Sequence, residues 1–469
     1  MSYLSIEFSV AFPIFFLLYW ILIKKPALQN VLLLIASYAI VATFDIKFLA
    51  ILVTYSVVLY VLSFPIYYSK KRNGLWLALA ISVAIINLCF FKYFDFFRVQ
   101  VQSMVNTLGI DYAIPGVEIL LPIGISFYTF HSISYLVSLR KKEISIPSPL
   151  DFALFLSFFP SLIAGPINRA KDFLPQIQVE QPREVGSYNK AFVLVLLALI
   201  KVLCLNTVLA DNFVDPVFAN PSSYNSLDIL LGVYGYALQI FFNFSGYTDL
   251  VTAIALLLGF QLPKNFNMPY FANNLRDFWQ RWHMSLSSWI RDYIYIPLGG
   301  SRKGFGRTQV NLFIAMTLSG LWHGASFAFI IWGIIHAIGV VLLNIGDRYL
   351  GRNYLTNFSP WLARFITFQY VCVAWVFFRS ATLSDSLELF SAFVYNVTSV
   401  ALSFNIFLYF PLLLLAFFAY PFLAKLPPLL IQLLDRVSWV YLPIVWVIIL
   451  LLVLTTAPAG IPNFIYASF

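Results

Sequence analysis

Long apolar runs with almost no charge recur along this 469-residue chain. Four of them, near residues 5–23, 28–44, 47–68 and 75–95, follow one another with short loops between them. Roughly 20 apolar residues in an α-helix cross the ~30 Å hydrocarbon core of a bilayer. A transmembrane barrel would instead show apolar and polar residues in alternation. The runs therefore predict an all-α polytopic integral membrane protein.

The composition agrees with this class and excludes others. The chain is 61% hydrophobic and 10% charged, whereas ordinary soluble domains are about 45–50% apolar and about 25% charged. The net charge of +9 is typical of cations in cytoplasmic loops. We expect no nucleic-acid partner, because no basic tract with interleaved aromatics lies outside the membrane segments. Each of the three cysteines lies in an apolar run, which favours buried small hydrophobes over a disulfide framework or metal site.

Loop charges predict the topology. Lys24, Lys25 and the Lys70–Arg72 cluster place those loops in the cytoplasm and the N-terminus outside. The first run lacks a basic flank and a cleavage site, so we expect it to remain as a helix. Segment 151–165 is short and predicts a re-entrant or interfacial element. About eleven full spans are expected in all, and the tail after Ala457, which has no charged side chain, should emerge outside. The further predicted spans lie near 117–139, 190–209, 226–244, 361–378, 403–423 and 437–457.

The stretch 246–336 contains three of the four histidines, His283, His323 and His336. It also concentrates ionisable groups between residues 276 and 292. Ionisable side chains at membrane depth are costly and indicate a functional site by default. We therefore expect the chemistry of the protein in this stretch.

Residues 269–296 are predicted to form an interfacial amphipathic helix, because large apolar residues recur at helical spacing. Arg276 and His283 fall on its neighbouring polar face. Such a helix can be a simple surface anchor, and His283 can be a working group or a hydrogen-bonded structural one. The apolar stripe consists of Leu275, Trp279, Trp282, Leu286 and Trp289.

A glycine-rich basic loop follows at residues 297–307, with Arg302, Lys303 and Arg307 among four glycines. Backbone N–H groups and fixed cations both favour anions, so the loop can hold a phosphate-bearing ligand. It matches neither the P-loop nor the dinucleotide fingerprint. A cytoplasmic loop that is basic for topological reasons is the alternative.

His323 lies in a Trp-His-Gly sequence between two apolar runs. Scarce solvent keeps an imidazole neutral, which is the form that a general base needs. A histidine that only ties two helices together is the alternative. His336 follows Trp332 by four residues, so the two share a helix face, and the structural role is favoured there. The templates of soluble hydrolases and metalloproteases are absent.

Several motifs together resemble the membrane-bound O-acyltransferase family. They are DFWQRWHMSLSSWIRDYIYIPLGGSRKG, SGLWHG, IIWGIIHA, LPIGISFYTFHSISYLVSLRKKE, FFPSLIAGPINRAKDF, FSGYTDLVTAIALLLGF and VAWVFFRS. The resemblance is to the bacterial branch that acylates cell-envelope polymers: peptidoglycan, alginate or teichoic acid. It implies a single membrane-embedded domain over residues 1–469, with helices around a central tunnel. It also implies that His323 is catalytic and that His283 has a second polar role.

The C-terminal sequence Phe464-Ile-Tyr-Ala-Ser-Phe469 is similar to an ending of this branch or of its small partner peptide. There, the tyrosine is proposed to accept the acyl group on the outer side. This implies an acyl-carrying role for Tyr466. The usual ending has Tyr-Phe where this chain has Tyr466-Ala467, a departure that keeps the tyrosine.

The resulting hypothesis is an O-acetyltransferase of the bacterial cytoplasmic (inner) membrane. Cytoplasmic acetyl-CoA is the expected donor, with its phosphates near Arg302, Lys303 and Arg307, and Arg276 would line the vestibule. His323 would act as base toward Tyr466, and an extracytoplasmic SGNH-type transferase would pass acetyl to a cell-wall polysaccharide, peptidoglycan first. No tightly bound cofactor and no metal are expected. The alternatives are alginate as acceptor, D-alanine delivered by a carrier protein, and a transporter or lipid flippase.

Overall fold

A computed structural model describes residues 3–117, 119–398, 401–404, 406–456 and 465. Helices dominate these residues, and none of them forms a β-strand. The all-α polytopic class predicted from the apolar runs is thereby confirmed. Two compact units are distinguished, residues 1–186 with 254–263 and residues 187–253 with 264–469. This division into two units does not test the prediction of a single functional domain over residues 1–469.

The first unit is built from eight helices. They are α1 (Ile6–Ile21), α2 (Pro26–Phe44), α3 (Ile46–Tyr68), α4 (Asn73–Thr107), α5 (Ile125–Arg140), α6 (Pro149–Ser157), α7 (Phe159–Leu162) and α8 (Ala170–Ile177). Short polar side chains begin several of them: Ser5, Asp45 and Ser148 each accept a hydrogen bond from an N–H of the first helical turn. Such caps satisfy donors that have no partner within the helix.

Two predicted segments of the first unit are shorter than a full crossing. The segment expected to span 117–139 is helical only from Ile125, because Gly124 takes a left-handed φ of 74°. A Cβ at Gly124 would lie 2.8 Å from the Leu162 side chain. Segment 151–165 forms the short helices α6 and α7, in agreement with the expectation that it does not cross the bilayer as one helix.

The second unit contains fourteen helices among the described residues. They are α9 (Tyr188–Leu199), α10 (Thr207–Leu209), α11 (Asp215–Ala219), α12 (Ser226–Leu257), α13 (Leu275–Trp279), α14 (Met284–Ile290), α15 (Phe305–His323), α16 (Phe327–Tyr349), α17 (Tyr354–Phe358), α18 (Pro360–Arg379), α19 (Leu383–Tyr395), α20 (Ile406–Leu423), α21 (Leu426–Leu434) and α22 (Leu442–Thr456). Three π-helical stretches, Ile200–Asn206, Ala210–Val214 and Arg291–Tyr295, interrupt or extend them.

Seven helices of the described residues are long and apolar enough to cross a bilayer. An eighth candidate is the pair Phe407–Leu423 and Leu426–Leu434, which is bent by 46°. Two shorter apolar helices, Ile6–Ile21 and Leu442–Thr455, fall below that length. The expected count of about eleven full spans is not confirmed, and the sidedness of the loops stays a prediction.

Helices α15 and α16 form a tight antiparallel hairpin in the second unit. A Cβ at Gly320 would lie 2.4 Å from the Phe329 carbonyl oxygen and 2.9 Å from the Gly333 Cα. A Cβ at Gly333 would lie 2.7 Å from the Met316 carbonyl oxygen. The two backbones touch there because neither glycine has a side chain, the usual way in which membrane helices approach closely.

We predict that Gly320→Ala lowers the unfolding temperature of the detergent-solubilised protein, measured by tryptophan fluorescence. The added methyl must push two backbones apart, and overpacking of this kind costs about 1–3 kcal/mol. Gly306→Ala, in the same helix, is the matched control, because a Cβ there meets nothing within 4 Å. Equal unfolding temperatures for the two variants would contradict this account of the hairpin.

Candidate active site

Three buried histidines lie in the second unit, each enclosed by aromatic rings. His283, His323 and His336 have 0%, 3% and 0% of their surface exposed. The fourth histidine, His131, is buried in the first unit, where its Nε2 accepts a hydrogen bond from the Asn168 N–H at 3.1 Å. All three histidines of residues 246–336 are thus buried, and the expectation that the chemistry lies in this stretch stays a prediction.

His323 is the last residue of α15, at the tip of the α15–α16 hairpin. The chain turns at Gly324, where a Cβ would lie 2.2 Å from the Phe329 ring. Ser326 then caps α16 by accepting a hydrogen bond from the Ala328 N–H at 3.1 Å. The Trp-His-Gly sequence therefore fixes the imidazole at a sharp, capped turn.

The imidazole of His323 contacts three aromatic rings edge to face. Its centroid lies 4.8 Å from Trp322, 5.0 Å from Trp332 and 5.1 Å from Phe378. This enclosure leaves the His323 imidazole only 3% exposed. This environment suits a group that takes up a proton only during a reaction.

His283 does not lie on the polar face of a long helix, so that prediction is wrong. Residues 269–296 form a short turn at Pro269–Phe271, the helices α13 and α14, and the π-helical stretch after them. His283 interrupts the helix with a left-handed φ of 41°. Hydrogen bonds from Asn267 N to Arg281 O and from Met284 N to Asn265 O, both 2.9 Å, hold the chain in this turn.

The turn brings His283 close to the environment of His323. Its imidazole packs 4.7 Å from the Phe244 ring and 6.2 Å from the Trp322 ring. Trp322 also contacts His323, so one indole lies against both histidines. Burial lowers the pKa of His283 to about 3, and its imidazole is therefore neutral at neutral pH.

His336 shares the face of α16 with Trp332, as predicted from their spacing, at 4.9 Å between ring centroids. Trp279 packs against it at 4.9 Å. Trp332 contacts both His336 and His323. Within the described residues, neither ring nitrogen of His336 has a hydrogen-bond partner, so it does not tie helices together in that way.

Comparison with known proteins identifies the chain. The family model described as MBOAT, membrane-bound O-acyltransferase family, matches residues 33–384. That match spans well over half of the sequence and includes the His283 turn and the α15–α16 hairpin. The chain belongs to the membrane-bound O-acyltransferase family. It is therefore a multi-pass membrane acyltransferase, and this assignment favours an enzyme over a transporter.

Individual relatives are similar over most of this acyltransferase. The probable alginate O-acetylase AlgI of Pseudomonas aeruginosa is 37% identical over 388 residues, 81% of this chain and 72% of that protein. The peptidoglycan O-acetyltransferase of Helicobacter pylori is 33% identical over 419 residues, 81% of this chain and 77% of that protein. The teichoic acid D-alanyltransferase of Bacillus subtilis is 30% identical over 273 residues, 55% of this chain and 68% of that protein.

The predicted donor-binding cations fall into two groups in this acyltransferase. Arg302 and Lys303 are exposed in the loop that precedes α15, and Arg307 is exposed in the first turn of that helix. Positive φ angles at three of its glycines let this loop turn tightly. Arg276 instead pairs with Asp347 and donates to Asn344 Oδ1 at 3.0 Å. The Arg276 charge is thus already compensated within the protein.

The basic loop and His323 lie at opposite ends of α15. The helix has 19 residues, so its ends are about 27 Å apart. The buried Asn311 donates to the Gly300 carbonyl at 2.9 Å and holds the loop against the helix. Arg302, Lys303 and Arg307 therefore lie at the same end of α15, and His323 lies at the other end.

Tyr466 lies outside the described residues. Its neighbour Ile465 is described, and the Ile465 N–H donates to Asn243 Oδ1 at 3.0 Å. Asn243 precedes Phe244 on α12, and the Phe244 ring packs on His283. Ile465 thus contacts the helix whose Phe244 ring packs on His283.

An ion pair joins the π-helical stretch Ile200–Asn206 to α12. The sequence analysis assigned no role to its two residues. Lys201 Nζ lies 2.6 Å from Asp249 Oδ2, with both side chains 20% exposed. Gly246 permits the approach, because a Cβ there would lie 2.6 Å from Val202 Cγ2. The sequence signal for this pair was one lysine and one aspartate within long apolar runs. The π-helical stretch is a second, structural indication, because such turns are frequent at functional sites.

We predict that Asp249→Asn strongly lowers the unfolding temperature, because Lys201 keeps its charge without the carboxylate. Removing one partner of a largely buried pair costs about 3–5 kcal/mol. The double variant Lys201→Met/Asp249→Leu should recover much of that loss. Asp95→Asn is the control, since Asp95 in its pair with Arg98 is 63% exposed and such pairs contribute about 0–1 kcal/mol. Similar losses for Asp249→Asn and Asp95→Asn would refute the prediction.

Proposed function

We propose that this acyltransferase takes acetyl from cytoplasmic acetyl-CoA and passes it through Tyr466 to an extracytoplasmic partner. The observation that carries the proposal is the position of His323, buried among aromatic rings at the far end of α15 from an exposed basic loop. A donor with its phosphates on that loop would extend along the helix toward the imidazole. The partner, an SGNH-type transferase, then acetylates a cell-wall polysaccharide.

His323 acts as the general base in the first transfer. It accepts the proton of the Tyr466 hydroxyl, whose unperturbed pKa of about 10 makes it a weak nucleophile without help. The phenolic oxygen attacks the thioester carbonyl carbon, and the carbon–sulfur bond breaks. His323 returns the proton to the leaving CoA thiolate. The products are acetyl-tyrosine and CoA, with no net change in protons.

His283 and the C-terminal segment fit the same scheme. Trp322 contacts both His283 and His323, which supports a role for His283 near the proposed base. The hydrogen bond from Ile465 to Asn243 supports the approach of the residue that follows it. The membrane is the bacterial cytoplasmic (inner) membrane, with the C-terminus on its outer side.

Peptidoglycan is the proposed acceptor polymer, in keeping with the 33% identical peptidoglycan O-acetyltransferase. Alginate is a second candidate, which the 37% identity to a probable alginate O-acetylase favours. Both acceptors use the same relay, because the polymer meets only the partner enzyme. A membrane preparation with the partner and each polymer in turn separates them by the acetyl content of the product.

We predict that purified protein incubated with isotopically labelled acetyl-CoA carries the label on its C-terminal peptide. His323→Ala should slow labelling by about 10²–10⁴-fold, the usual contribution of a general base, and Tyr466→Phe should abolish it. Tyr441→Phe is the matched control, because Tyr441 is 62% exposed and has no part in the scheme. Mass spectrometry of the quenched protein gives the site and amount of label.

Two outcomes of the labelling experiment would overturn the relay. CoA release without label on protein would mean direct transfer to an external acceptor. Absence of CoA release with the partner present would mean a different donor, and a D-alanyl thioester on a carrier protein would be tested next.

We predict that replacing Arg302, Lys303 and Arg307 together with alanine raises the KM for acetyl-CoA and leaves kcat nearly unchanged. The same variant should show no change with S-acetylpantetheine, a donor that lacks the phosphates, because the loop attracts anions. Lys425→Ala is the control for general loss of positive charge, since Lys425 is also exposed. Equal KM increases for both donors would show that the loop acts on something other than phosphate.

A further inference from the structure

Asn265 is a buried amide in the segment between α12 and α13, with 1% of its surface exposed. We propose that Asn265 is a positioning residue for His283, a proposal that rests on the acyl-transfer site described above. It contacts the chain on both sides of this segment: the α12 helix before it and the His283 turn after it. Its contacts are to the residues next to the imidazole rather than to the imidazole itself.

The main chain of Asn265 holds the turn directly. Its carbonyl oxygen accepts the Met284 N–H at 2.9 Å, and two residues later the Asn267 N–H donates to the Arg281 carbonyl at 2.9 Å. These two bonds bracket Trp282 and His283. His283, with its left-handed φ, is the residue at which the chain turns between these two bonds.

The side chain of Asn265 adds a second fixing point. Its Oδ1 accepts the Ser285 Oγ–H at 2.6 Å, and its Nδ2 lies 3.5 Å from Thr248 Oγ1 on α12. One amide thus connects α12 with the first turn of α14. Because both ends are buried, water does not compete readily for these bonds.

The backbone of His283 requires such restraint. Its φ of 41° lies in the left-handed region, which residues with a Cβ disfavour. Without outside contacts the chain would relax toward a continuous helix through α13 and α14. In that helix the imidazole would leave its contacts with Phe244 and Trp322.

Asn265 therefore acts on the orientation of the His283 imidazole and not on its charge or on proton transfer. Asn265 keeps the imidazole of His283 in contact with the Trp322 indole, which also contacts His323. In a bound reaction complex, a displacement of about 1 Å can slow catalysis by about 10²-fold. Asn265 would thus affect kcat more than the KM for the donor.

The test compares Asn265→Ala with Asn267→Ala in the full-length protein. Asn267 belongs to the same short segment but its side chain is exposed. One readout is the acetyl-CoA rate, resolved into kcat and KM. The other is the rate at which diethyl pyrocarbonate modifies each of the four histidines, mapped by mass spectrometry, which needs no substrate.

For Asn265→Ala we expect kcat to fall by about 10²-fold with KM changed by less than about threefold. We expect modification of His283 to accelerate while that of His131, buried in the first unit, stays constant. Asn267→Ala should match the wild type in both readouts. Ser285→Ala, which removes only the bond to Oδ1, should shift both readouts in the same direction by a smaller factor and serves if Asn265→Ala does not fold.

Two results would overturn the role of Asn265, and a third would instead remove His283 from the reaction. If modification by diethyl pyrocarbonate became faster to the same degree at all four histidines, the variant would have loosened the whole protein. If modification of His283 became faster in neither Asn265→Ala nor Ser285→Ala, the turn would hold without the Asn265 amide. Faster modification of His283 with an unchanged kcat would keep Asn265 as its positioning residue and remove His283 from the reaction. If even the wild type transfers no acetyl, the modification rates still decide the role of Asn265, so the two failures are distinguishable.

Discussion

The contact between two glycine backbones determines the geometry of the second unit. Because Gly320 and Gly333 let α15 and α16 touch, Trp332 on one helix reaches His323 at the end of the other. The aromatic enclosure of His323 is completed by Phe378 of α18. A hairpin separated by even one methyl group on each side would pull these rings apart. The aromatic enclosure of His323 thus depends on the absence of side chains at Gly320 and Gly333.

Charge is distributed in a way that suits a low-dielectric interior. An isolated charge in such a medium is strongly disfavoured. Charged groups among the described residues meet this cost by pairing, by exposure or by hydrogen bonds to neutral groups, as when the buried Asp228 accepts from the Ser403 and Phe404 N–H groups. Lys201 pairs with Asp249 and Arg276 with Asp347, while the cations of the loop before α15 stay exposed. The imidazoles of His283, His323 and His336 are buried in the same unit, among aromatic rings.

Features that depend on local sequence were predictable. The apolar runs predicted the membrane class, and the two runs that flank His323 are the helices α15 and α16. The periodic stripe from Leu275 to Trp289 was a true burial signal, since Trp282 and Trp289 are 1% and 3% exposed. It did not predict the break at His283, because that break depends on backbone pairing with residues 265–267. The Lys201–Asp249 pair, 48 residues apart in sequence, is likewise set by tertiary packing, and the role of Tyr466 stays a prediction.

The π-helical stretch Ile200–Asn206 has a consequence for the lipid-facing surface of its span. A π-helical turn holds more residues than an α-helical turn, and each residue of a helix advances the side-chain direction by about 100°. The row of outward-facing side chains is therefore rotated about the helix axis at this stretch. Leu205 and Val208 are exposed while Val202 and Asn206 are buried. A span built this way can offer apolar side chains to lipid on both sides of the stretch and still direct an ammonium group at a neighbouring helix.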